Sequence, residues 1–360
     1  MSAQLQRQAA FEASHLGFLY RQFTRQKPLP ADTDLTDKVA IVTGSNVGLG
    51  LEAARQLLDL GLSHLILAVR SKAKGEAAAL DLRRDFPASI VTVWTVDLES
   101  YDSIRAFVNL CATLPRLDMA ILNAGLMKSS FSTLTDTEHE ITLQVNYLST
   151  AFLAILLLPV LQSSRVDASR GPSVLSIVGS DLAYQAKIET RGPVLPQFDR
   201  PERYDRFRWY SASKLLLTLF VAKLADFIDP DYVVVNMVNP GMTSGTEFFR
   251  EFPFVLLKLV NFGQWLLARP LHVASSTYVD AVVARGRESH GSFISDWAIK
   301  PYPAVFYTSE GQQLRDRLWE ETMEELNFAS AAAIVTGLKR RDGTRGDGRG
   351  KHDEDGGIAC

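Results

Sequence analysis

Short β-branched runs alternate with longer stretches of helical periodicity from residue 38 onward, and this alternation constrains the fold more than any other feature of the chain. Six runs have the character of strands: KVAIVTG, HLILAVR, IVTVWTVDL, LDMAILNAG, SVLSIVG and YVVVNMVNPG. They are apolar along their whole length, as expected of strands that are covered on both faces. Helical segments lie between them. The pattern predicts an α/β fold: a single Rossmann-type, doubly wound parallel sheet with helices on both faces.

The composition is that of an ordinary globular chain and argues against several classes of protein. The net charge of -3 over 360 residues gives no basic footprint for a nucleic-acid partner. Two cysteines cannot form a disulfide framework, and the six histidines have no spacing suited to a metal site, so we expect a reducing, cytoplasmic compartment and no metal. The longest apolar run, at 151–161, is shorter than a spanning helix of roughly 20 residues and contains Pro159. It predicts a buried core helix.

Both ends of the chain differ from the alternating region. Residues 1–36 form an N-terminal extension whose helical stretch, over 4–24, carries four apolar residues at helical spacing: Leu16, Leu19, Tyr20 and Phe23. We expect this amphipathic helix to dock on the protein's own domain, with a membrane surface as the alternative. The main domain is assigned to 37–330. The charged, glycine-rich tail at 338–360 is predicted to be disordered.

Two segments interrupt the alternation and are predicted to cover the substrate. Residues 181–209 are polar, contain three prolines and are too long for an ordinary loop. Residues 247–270 carry few charges and predict an apolar helical flap, with these side chains foremost: Phe248, Phe249, Phe252, Phe254, Leu256 and Leu257. Together the two segments predict a bulky hydrophobic small-molecule substrate.

A group of three glycines follows the first predicted strand and leads directly into a helix. Glycine permits a tight turn and lets the backbone approach a pyrophosphate, while the helix N-terminus offers unpaired N–H groups. Glycines alone are weak evidence, but this position between a strand and a helix predicts dinucleotide binding. The predicted cofactor contacts in this turn are Gly44, Ser45, Asn46, Gly48, Leu49 and Gly50.

The ends of the second and third strands bear on the choice of cofactor. Arg70 stands where an acidic residue would bind the ribose hydroxyls of NAD, and a guanidinium pairs with a 2'-phosphate instead. This favours NADP(H), the alternative being that Arg70 merely ends a strand in solvent. Asp97, which ends the third strand, is placed to bind the adenine amino group.

Tyr210 precedes Lys214 by four residues, a little over one helical turn, so both side chains share a helix face. A neighbouring ammonium favours the phenolate and so lowers the pKa of a tyrosine. Alone, the pair is compatible with an ordinary helix edge.

Taken in order, the motifs resemble those of the short-chain dehydrogenase/reductase family. They are TGSNVGLG, LNAG at 122–125, Asn146 in QVNYLS, Ser180 in SIVGS, the Tyr210 and Lys214 pair, and NPG at 239–241. The chain is most similar to the retinol-dehydrogenase-like branch. Its segments SFISDWAIKPYP and GQQLRDRLWEETMEEL resemble reductases of fungal specialised-metabolite pathways.

The resemblance implies four catalytic residues. Tyr210 exchanges a proton with the substrate oxygen, and Lys214 lowers the pKa of Tyr210 and holds the nicotinamide ribose. Ser180 hydrogen-bonds the carbonyl oxygen, with Ser176 as the less favoured choice. Asn146 holds a water that links the lysine to solvent, the alternative being a hydrogen bond to the backbone.

The resemblance also completes the cofactor site. The backbone around Asn123, Ala124 and Gly125 lines the pocket, and Pro240 and Gly241 are also assigned to cofactor binding. Thr243 is favoured for the carboxamide over Ser244 and Thr246. A second tyrosine and lysine, Tyr184 and Lys187, are three residues apart and precede no apolar helix, so we do not assign them to catalysis.

These features predict an NADP-dependent oxidoreductase of CH–OH groups that interconverts a ketone or aldehyde and an alcohol on a bulky hydrophobic substrate, in specialised-metabolite biosynthesis. One alternative is a retinal- or fatty-aldehyde-type reductase in peripheral contact with a membrane. Another is a non-catalytic NADP-sensing protein. The family often forms homo-oligomers through the helices that carry Asn146 and Tyr210.

Overall fold

The computed structural model describes residues 3–164, 171–244 and 267–340. The predicted apolar flap therefore lies outside the described residues up to residue 266. The predicted tail lies outside them after residue 340, and its first three residues belong to a helix.

A single eight-stranded sheet forms the centre, with the strand order β3-β2-β1-β4-β5-β6-β7-β8. All neighbours are parallel except the last pair, which is antiparallel. The strands are β1 (Val39–Thr43), β2 (His64–Val69), β3 (Ile90–Thr95), β4 (Met119–Leu122), β5 (Ser173–Val178), β6 (Val233–Asn239), β7 (Phe293–Ser295) and β8 (Ala298–Lys300). The six predicted strands and the doubly wound topology are confirmed.

The helices lie on both faces of this sheet, as predicted. Their bounds are α1 (Ala3–Glu12), α2 (His15–Gln22), α3 (Gly48–Asp59), α4 (Lys72–Asp85), α5 (Tyr101–Cys111), α6 (Ile141–Leu143), α7 (Ser149–Ser163), α8 (Arg206–Ala225), α9 (Leu271–Val279), α10 (Ser309–Glu325) and α11 (Ala331–Arg340). Successive residues of β1 point to opposite faces: Ile41 joins the core under α5, α7 and α8, whereas Ala40 and Val42 join the core under α3, α4 and α9. Two cores on one sheet explain why five of the six predicted strands are buried along nearly their whole length, whereas β3 at the sheet edge is fully buried only at Val91 and Val93.

The apolar run at 151–161 lies in the longest helical stretch, which runs from α6 through a π-helical turn (Gln144–Leu148) into α7. The whole stretch, Ile141–Ser163, has 23 residues and is long and apolar enough to cross a membrane by length and composition alone, but 89% of its most apolar window is buried inside the protein. It is the buried core helix that the sequence predicted.

The N-terminal extension forms two helices, α1 and α2, and α2 docks on the domain with the opposite face from the one expected. Gly17, Arg21 and Gln22 are its buried residues. The four apolar residues that were predicted to dock are exposed, Leu16 by 72% and Phe23 by 64%. The expected face is therefore wrong, because α2 is held by polar and charged partners instead of apolar ones.

The carboxy-terminal helices α10 and α11 pack on the outer side of the domain, against α8 and α7 respectively. Trp319 of α10 stacks on Phe227 with 4.9 Å between ring centroids. Asp316 pairs with Lys223 of α8 at 2.7 Å. The hydroxyl groups of Thr322 and Tyr147 are 2.6 Å apart and buried.

The long segment at 181–209 is held against α10 and contains three short 3-10 turns: Asp181–Gln185, Leu195–Gln197 and Pro201–Arg203. The carboxylate of Glu321 accepts hydrogen bonds from the backbone N–H groups of Val194 and Leu195 at 2.8 to 2.9 Å. The indole of Trp209 donates to the Phe198 carbonyl at 2.8 Å. These contacts order the segment next to the start of α8.

Candidate functional site

Strand β1 ends in a glycine turn that leads directly into α3. Gly44 and Gly48 have φ angles of 65° and 61°, in the left-handed region that favours glycine. A Cβ at Gly48 would meet no atom within 4 Å, so the turn is open on that side. Val47 stands at the N-cap of α3, and its aliphatic side chain cannot cap the first amides of the helix. An open turn at an uncapped helix N-terminus fits a phosphate group.

Asn123 closes this turn from the end of the neighbouring strand β4. Its amide donates to the carbonyl oxygens of Thr43 (2.9 Å) and Gly44 (3.2 Å), and the Ala124 N–H donates to Thr43 Oγ1 (3.0 Å). A Cβ at Gly50 would lie 2.6 Å from the Asn123 amide nitrogen. Thr43 was missed by the sequence analysis, although a hydroxyl beside the first glycine could have indicated it.

Of the other residues predicted to bind the cofactor in this turn, Ser45 is buried and Asn46 and Leu49 lie at the rim. Ser45 is fully buried, and its hydroxyl donates to the Val42 carbonyl at 2.7 Å, so this side chain stabilises the turn itself. Asn46 and Leu49 are half-buried at the rim. To contact a cofactor, the Ser45 hydroxyl would have to give up its hydrogen bond to the Val42 carbonyl.

Arg70 and Asp97 follow β2 and β3 at the edge of the glycine turn. The Arg70 guanidinium is mostly exposed and forms a 2.7 Å ion pair with Glu99. Glu99 was not singled out from the sequence, and it competes with any phosphate for Arg70. Asp97 accepts a hydrogen bond from the Glu99 N–H at 3.0 Å, which fixes the turn that carries both carboxylates.

Ser180 and Tyr210 meet at the carboxyl edge of the sheet. Ser180 follows β5, Tyr210 lies in the first turns of α8, and their hydroxyl groups are joined by a hydrogen bond. Burial raises the pKa of Tyr210, the bond with Ser180 acts in the opposite direction, and the nearby Asp181 carboxylate adds to the rise. The structure therefore brings together the two groups that are predicted to contact the substrate oxygen.

Lys214 lies one turn further along α8, with its Nζ 5.8 Å from the centroid of the Tyr210 ring. It is buried, and its ammonium donates to the Val178 carbonyl at 2.8 Å. Burial lowers the pKa of Lys214 to about 8. A Cβ at Gly125 would lie 3.6 Å from this ammonium, which places the predicted pocket-lining loop beside the lysine. Lowering of the Tyr210 pKa by Lys214 stays a prediction, since the contributions to that pKa come from burial, Ser180 and Asp181.

Asn146 lies in the π-helical turn and is fully buried. Its amide accepts from the Leu126 N–H and donates to the Leu126 carbonyl, both at 2.8 Å, and it also donates to Ser213 Oγ at 3.2 Å. The backbone bonding considered as an alternative is thus present. The side chain fixes the strand β4 loop to α8, and its predicted role in holding a water stays a prediction.

The loop after β6 carries Pro240, Gly241 and Thr243 to the same edge of the sheet. Gly241 has a φ angle of 76°. The Thr243 hydroxyl is buried and donates to the Gly241 carbonyl at 3.1 Å. The side chain of Gln22, from α2, reaches this loop and bonds both backbone groups of Met242. This contact of the N-terminal extension was not predicted.

The serine and tyrosine that the sequence disfavoured for catalysis, Ser176 and Tyr184, lie in positions where they stabilise the fold. Ser176 is buried inside β5, away from the strand end. Tyr184 donates to the Pro301 carbonyl at 2.6 Å and lies under the Arg21 guanidinium. A shallow surface depression beside the 181–209 segment is lined by Lys187, Phe198 and Trp209 among others, and none of the four predicted catalytic residues lines it.

A parallel sheet with an open glycine turn, and a serine, a tyrosine and a lysine at its carboxyl edge, are the features of an oxidoreductase with a Rossmann-type fold. The family model described as short chain dehydrogenase matches residues 38–178. Short chain dehydrogenase virL of Hypocrea virens is 60% identical over 341 residues, which are 94% of this chain and all of that protein. Short chain dehydrogenase/reductase mfmJ of Annulohypoxylon moriforme is 49% identical, over 89% of this chain and 94% of that protein. The chain belongs to the short chain dehydrogenase family, and its similarity to fungal members is confirmed.

Solved structures agree on the fold. A short chain oxidoreductase of Pseudomonas aeruginosa, solved with NADPH, superposes with a TM-score of 0.55 at 23% identity, over 72% of this chain and 95% of that one. L-sorbose reductase of Gluconobacter frateurii, solved with NADPH and L-sorbose, gives a TM-score of 0.55 at 20% identity, over 74% and 97% of the two chains.

Proposed function

We propose that the protein is an NADP-dependent oxidoreductase that interconverts a ketone or aldehyde and an alcohol on a bulky hydrophobic substrate, in specialised-metabolite biosynthesis. The observation that carries this proposal is the buried group at the carboxyl edge of the sheet, in which Ser180 bonds Tyr210 and Lys214 lies one turn away. The similarity to fungal short chain dehydrogenases supports the same chemistry.

The residues of this group divide the reaction among them. When bound, NADPH supplies a hydride to the carbonyl carbon of the substrate. Tyr210 gives its hydroxyl proton to the carbonyl oxygen, and the alcohol is complete. Ser180, bonded to the same hydroxyl, orients that oxygen. The Lys214 ammonium stabilises the phenolate until a proton returns from solvent.

The reverse reaction requires Tyr210 to lose its proton before it accepts one from the alcohol. Burial opposes this loss by raising the pKa of Tyr210, and the hydrogen bond with Ser180 favours it. Ser180 thus supports the tyrosine in both directions.

NADP(H) fits the glycine turn and its surroundings. The uncapped N-terminus of α3 offers amides for the pyrophosphate, and the Gly48 turn leaves room for it. Arg70 provides a cation for the 2'-phosphate once it leaves Glu99. Similar proteins of known structure were solved with NADPH.

A bulky substrate is supported by the length and packing of the 181–209 segment. Tyr204 donates from this segment to the Lys128 carbonyl at 2.8 Å, so the segment spans from the β4 loop to α8. The segment thereby forms one wall of the proposed substrate pocket near Tyr210. The second predicted wall, at 247–270, lies almost entirely outside the described residues and stays a prediction.

The test compares NADPH and NADH oxidation over a panel of hydrophobic and short polar ketones and aldehydes, for the wild type and Tyr210→Phe. Turnover with NADPH that falls by about 100-fold or more in Tyr210→Phe supports the proposal, because general acid catalysis contributes about that much. NADPH binding without turnover on any substrate favours the NADP-sensing alternative. Equal turnover of short polar ketones contradicts the bulky substrate.

A second candidate, a fatty- or retinal-aldehyde reductase in peripheral contact with a membrane, is favoured by one observation. The exposed face of α1 and α2 carries Phe11, Leu16, Leu19, Tyr20 and Phe23. Such a patch suits the boundary between lipid headgroups and acyl chains. Sedimentation with lipid vesicles that is lost in Leu16→Ser/Phe23→Ser would support it, and protein that stays in the supernatant would contradict it.

A further inference from the structure

A buried cluster of six charged side chains joins the N-terminal helices to the active-site edge of the sheet. We call it the buried ion cluster, and it consists of Glu12, Arg21, Asp181, Arg269, Asp296 and Lys300. None exposes more than 14% of its side chain. With three cations and three carboxylates the cluster balances its charge, which buried ionic groups require.

Arg21 of α2 connects the cluster to the loop after β5. It bonds Glu12 at 2.6 Å and lies 3.6 Å from Asp181, the residue next to Ser180. Two further groups fix Asp181: its N–H donates to Asn239 at 3.1 Å, and the positive charge of Arg269 lies nearby. The N-terminal extension therefore contacts the segment that carries the predicted catalytic serine.

Arg269 connects the cluster to the loop after β6. It forms a 2.6 Å ion pair with Asp296, and it donates to the Pro240 carbonyl at 3.2 Å and to the Arg21 carbonyl. Its own backbone N–H donates to the Met242 carbonyl at 2.9 Å. One guanidinium thus ties α2, the β6 loop and the β7–β8 turn together.

Gln22 completes this arrangement with two hydrogen bonds of its own. Its Nε2 donates to the Met242 carbonyl at 2.6 Å, and its Oε1 accepts from the Met242 N–H at 3.1 Å. Only 5% of Gln22 is exposed. A buried amide that pairs with both backbone groups of Met242 fixes the two peptide groups on either side of this residue, and Thr243 follows directly.

We propose that α2 forms part of the cofactor site and that Gln22 is a positioning residue. Gln22 holds the Met242 backbone and thereby places Thr243 at the nicotinamide end. The inference rests on the proposed NADP(H) function. The buried ion cluster anchors α2 through Arg21, so that Gln22 stays next to Met242. The apolar face of α2 is exposed for the same reason: the opposite, polar face is required at the site.

The test uses Gln22→Met, which keeps the side-chain volume and removes both hydrogen bonds, and Gln8→Met on the exposed side of α1 as the matched control. Binding of NADPH is compared with binding of adenosine 2',5'-bisphosphate, which lacks the nicotinamide end. We expect Gln22→Met to weaken NADPH by about 5- to 30-fold and the bisphosphate by less than about 2-fold. Gln8→Met should change neither.

Nicotinamide fluorescence gives a second readout, since an immobilised ring emits more strongly. We expect a smaller enhancement on saturating Gln22→Met than on saturating the wild type. Should Gln22→Met prove unstable, Gln22→Asn serves instead: it keeps a neutral amide but is one methylene group too short to reach both backbone groups of Met242, and it is expected to weaken NADPH more than the bisphosphate in the same way.

The outcomes separate the two proposals. Unchanged NADPH binding in Gln22→Met overturns the inference and leaves the proposed function standing. Equal weakening of both ligands, with a lowered melting temperature, also overturns it, because a general loss of structure affects both ends of the cofactor. A wild type that binds neither ligand refutes the proposed cofactor and the inference with it.

Discussion

Cofactor selection at Arg70 can be tested through the ion pair that this residue forms with Glu99. The guanidinium bonds the Glu99 carboxylate at 2.7 Å and is 59% exposed. To bind a 2'-phosphate, Arg70 must exchange this partner. The informative perturbations are therefore Arg70→Ala, Glu99→Gln and the two together.

The magnitudes follow from the exposure of the pair. A hydrogen bond between charged groups is worth about 1.5 to 3 kcal/mol, and an exposed ion pair about 0 to 1 kcal/mol. Arg70→Ala should therefore weaken NADPH by a net of about 0.5 to 3 kcal/mol, or roughly 2- to 150-fold. Glu99→Gln frees Arg70 and should strengthen NADPH by up to about 5-fold. NADH, which has no 2'-phosphate, should change little in either variant.

The assay is equilibrium binding of NADPH and NADH by quenching of tryptophan fluorescence, at fixed ionic strength because salt screens the phosphate contact. In the Arg70→Ala background, Glu99→Gln should no longer strengthen NADPH binding. Its effect in the wild type comes from releasing the Arg70 guanidinium, which is then absent. An NADPH to NADH preference that stays within about 2-fold of the wild type in Arg70→Ala would refute Arg70 as the selector.

Three further outcomes are expected. Gly50→Ala should lower the free energy of unfolding by about 1 to 3 kcal/mol and impair NADPH binding, because the new Cβ would lie 2.6 Å from the Gly44 carbonyl oxygen. The control Gly337→Ala should be tolerated, since its Cβ would meet no atom within 4 Å. Equal urea midpoints for the two variants would contradict this. Ketone reduction should decline above a pH of about 8, where Lys214 loses its charge, and a flat rate profile from neutral to alkaline pH would argue against this role. Burial disfavours the charged form of His139, but its hydrogen bonds with Asp199 and Glu325 outweigh this and raise its pKa to about 9. The stability from this ion pair should therefore be full below the unfolded pKa of about 6.5 and lost by a pH of about 9, so that His139→Gln flattens the decline of the urea midpoint over this window.

Much of the fold could be predicted because its signals are local. Five of the six predicted strands are buried along nearly their whole length between two helical layers, and the edge strand β3 is fully buried only at Val91 and Val93. Strands β7 and β8 escaped prediction since each has three residues, and the turn between them, Asp296 and Trp297 at φ angles of 55° and 54°, contains no glycine.

The parts of the site that escaped prediction depend on partners far apart in the sequence. Glu99 lies 29 residues from Arg70, and Met242 lies 220 residues from Gln22. Helix α2 shows the difficulty most clearly: its apolar residues have the spacing of a docking face, yet Arg21 and Gln22 dock because their partners come from the β5 and β6 loops. Periodicity reports which side of a helix is apolar, and it does not report buried ionic partners.

Helices α10 and α11 cover the two helical stretches that carry Asn146 and Tyr210, where the family resemblance led us to expect a homo-oligomer interface. The helices that carry Asn146 and Tyr210 are already covered in a single copy of this chain, α8 by Trp319 and Asp316 of α10, and α7 by α11. Two copies cannot join there unless this packing is undone. Any homo-oligomer of this protein is therefore expected to assemble through another face.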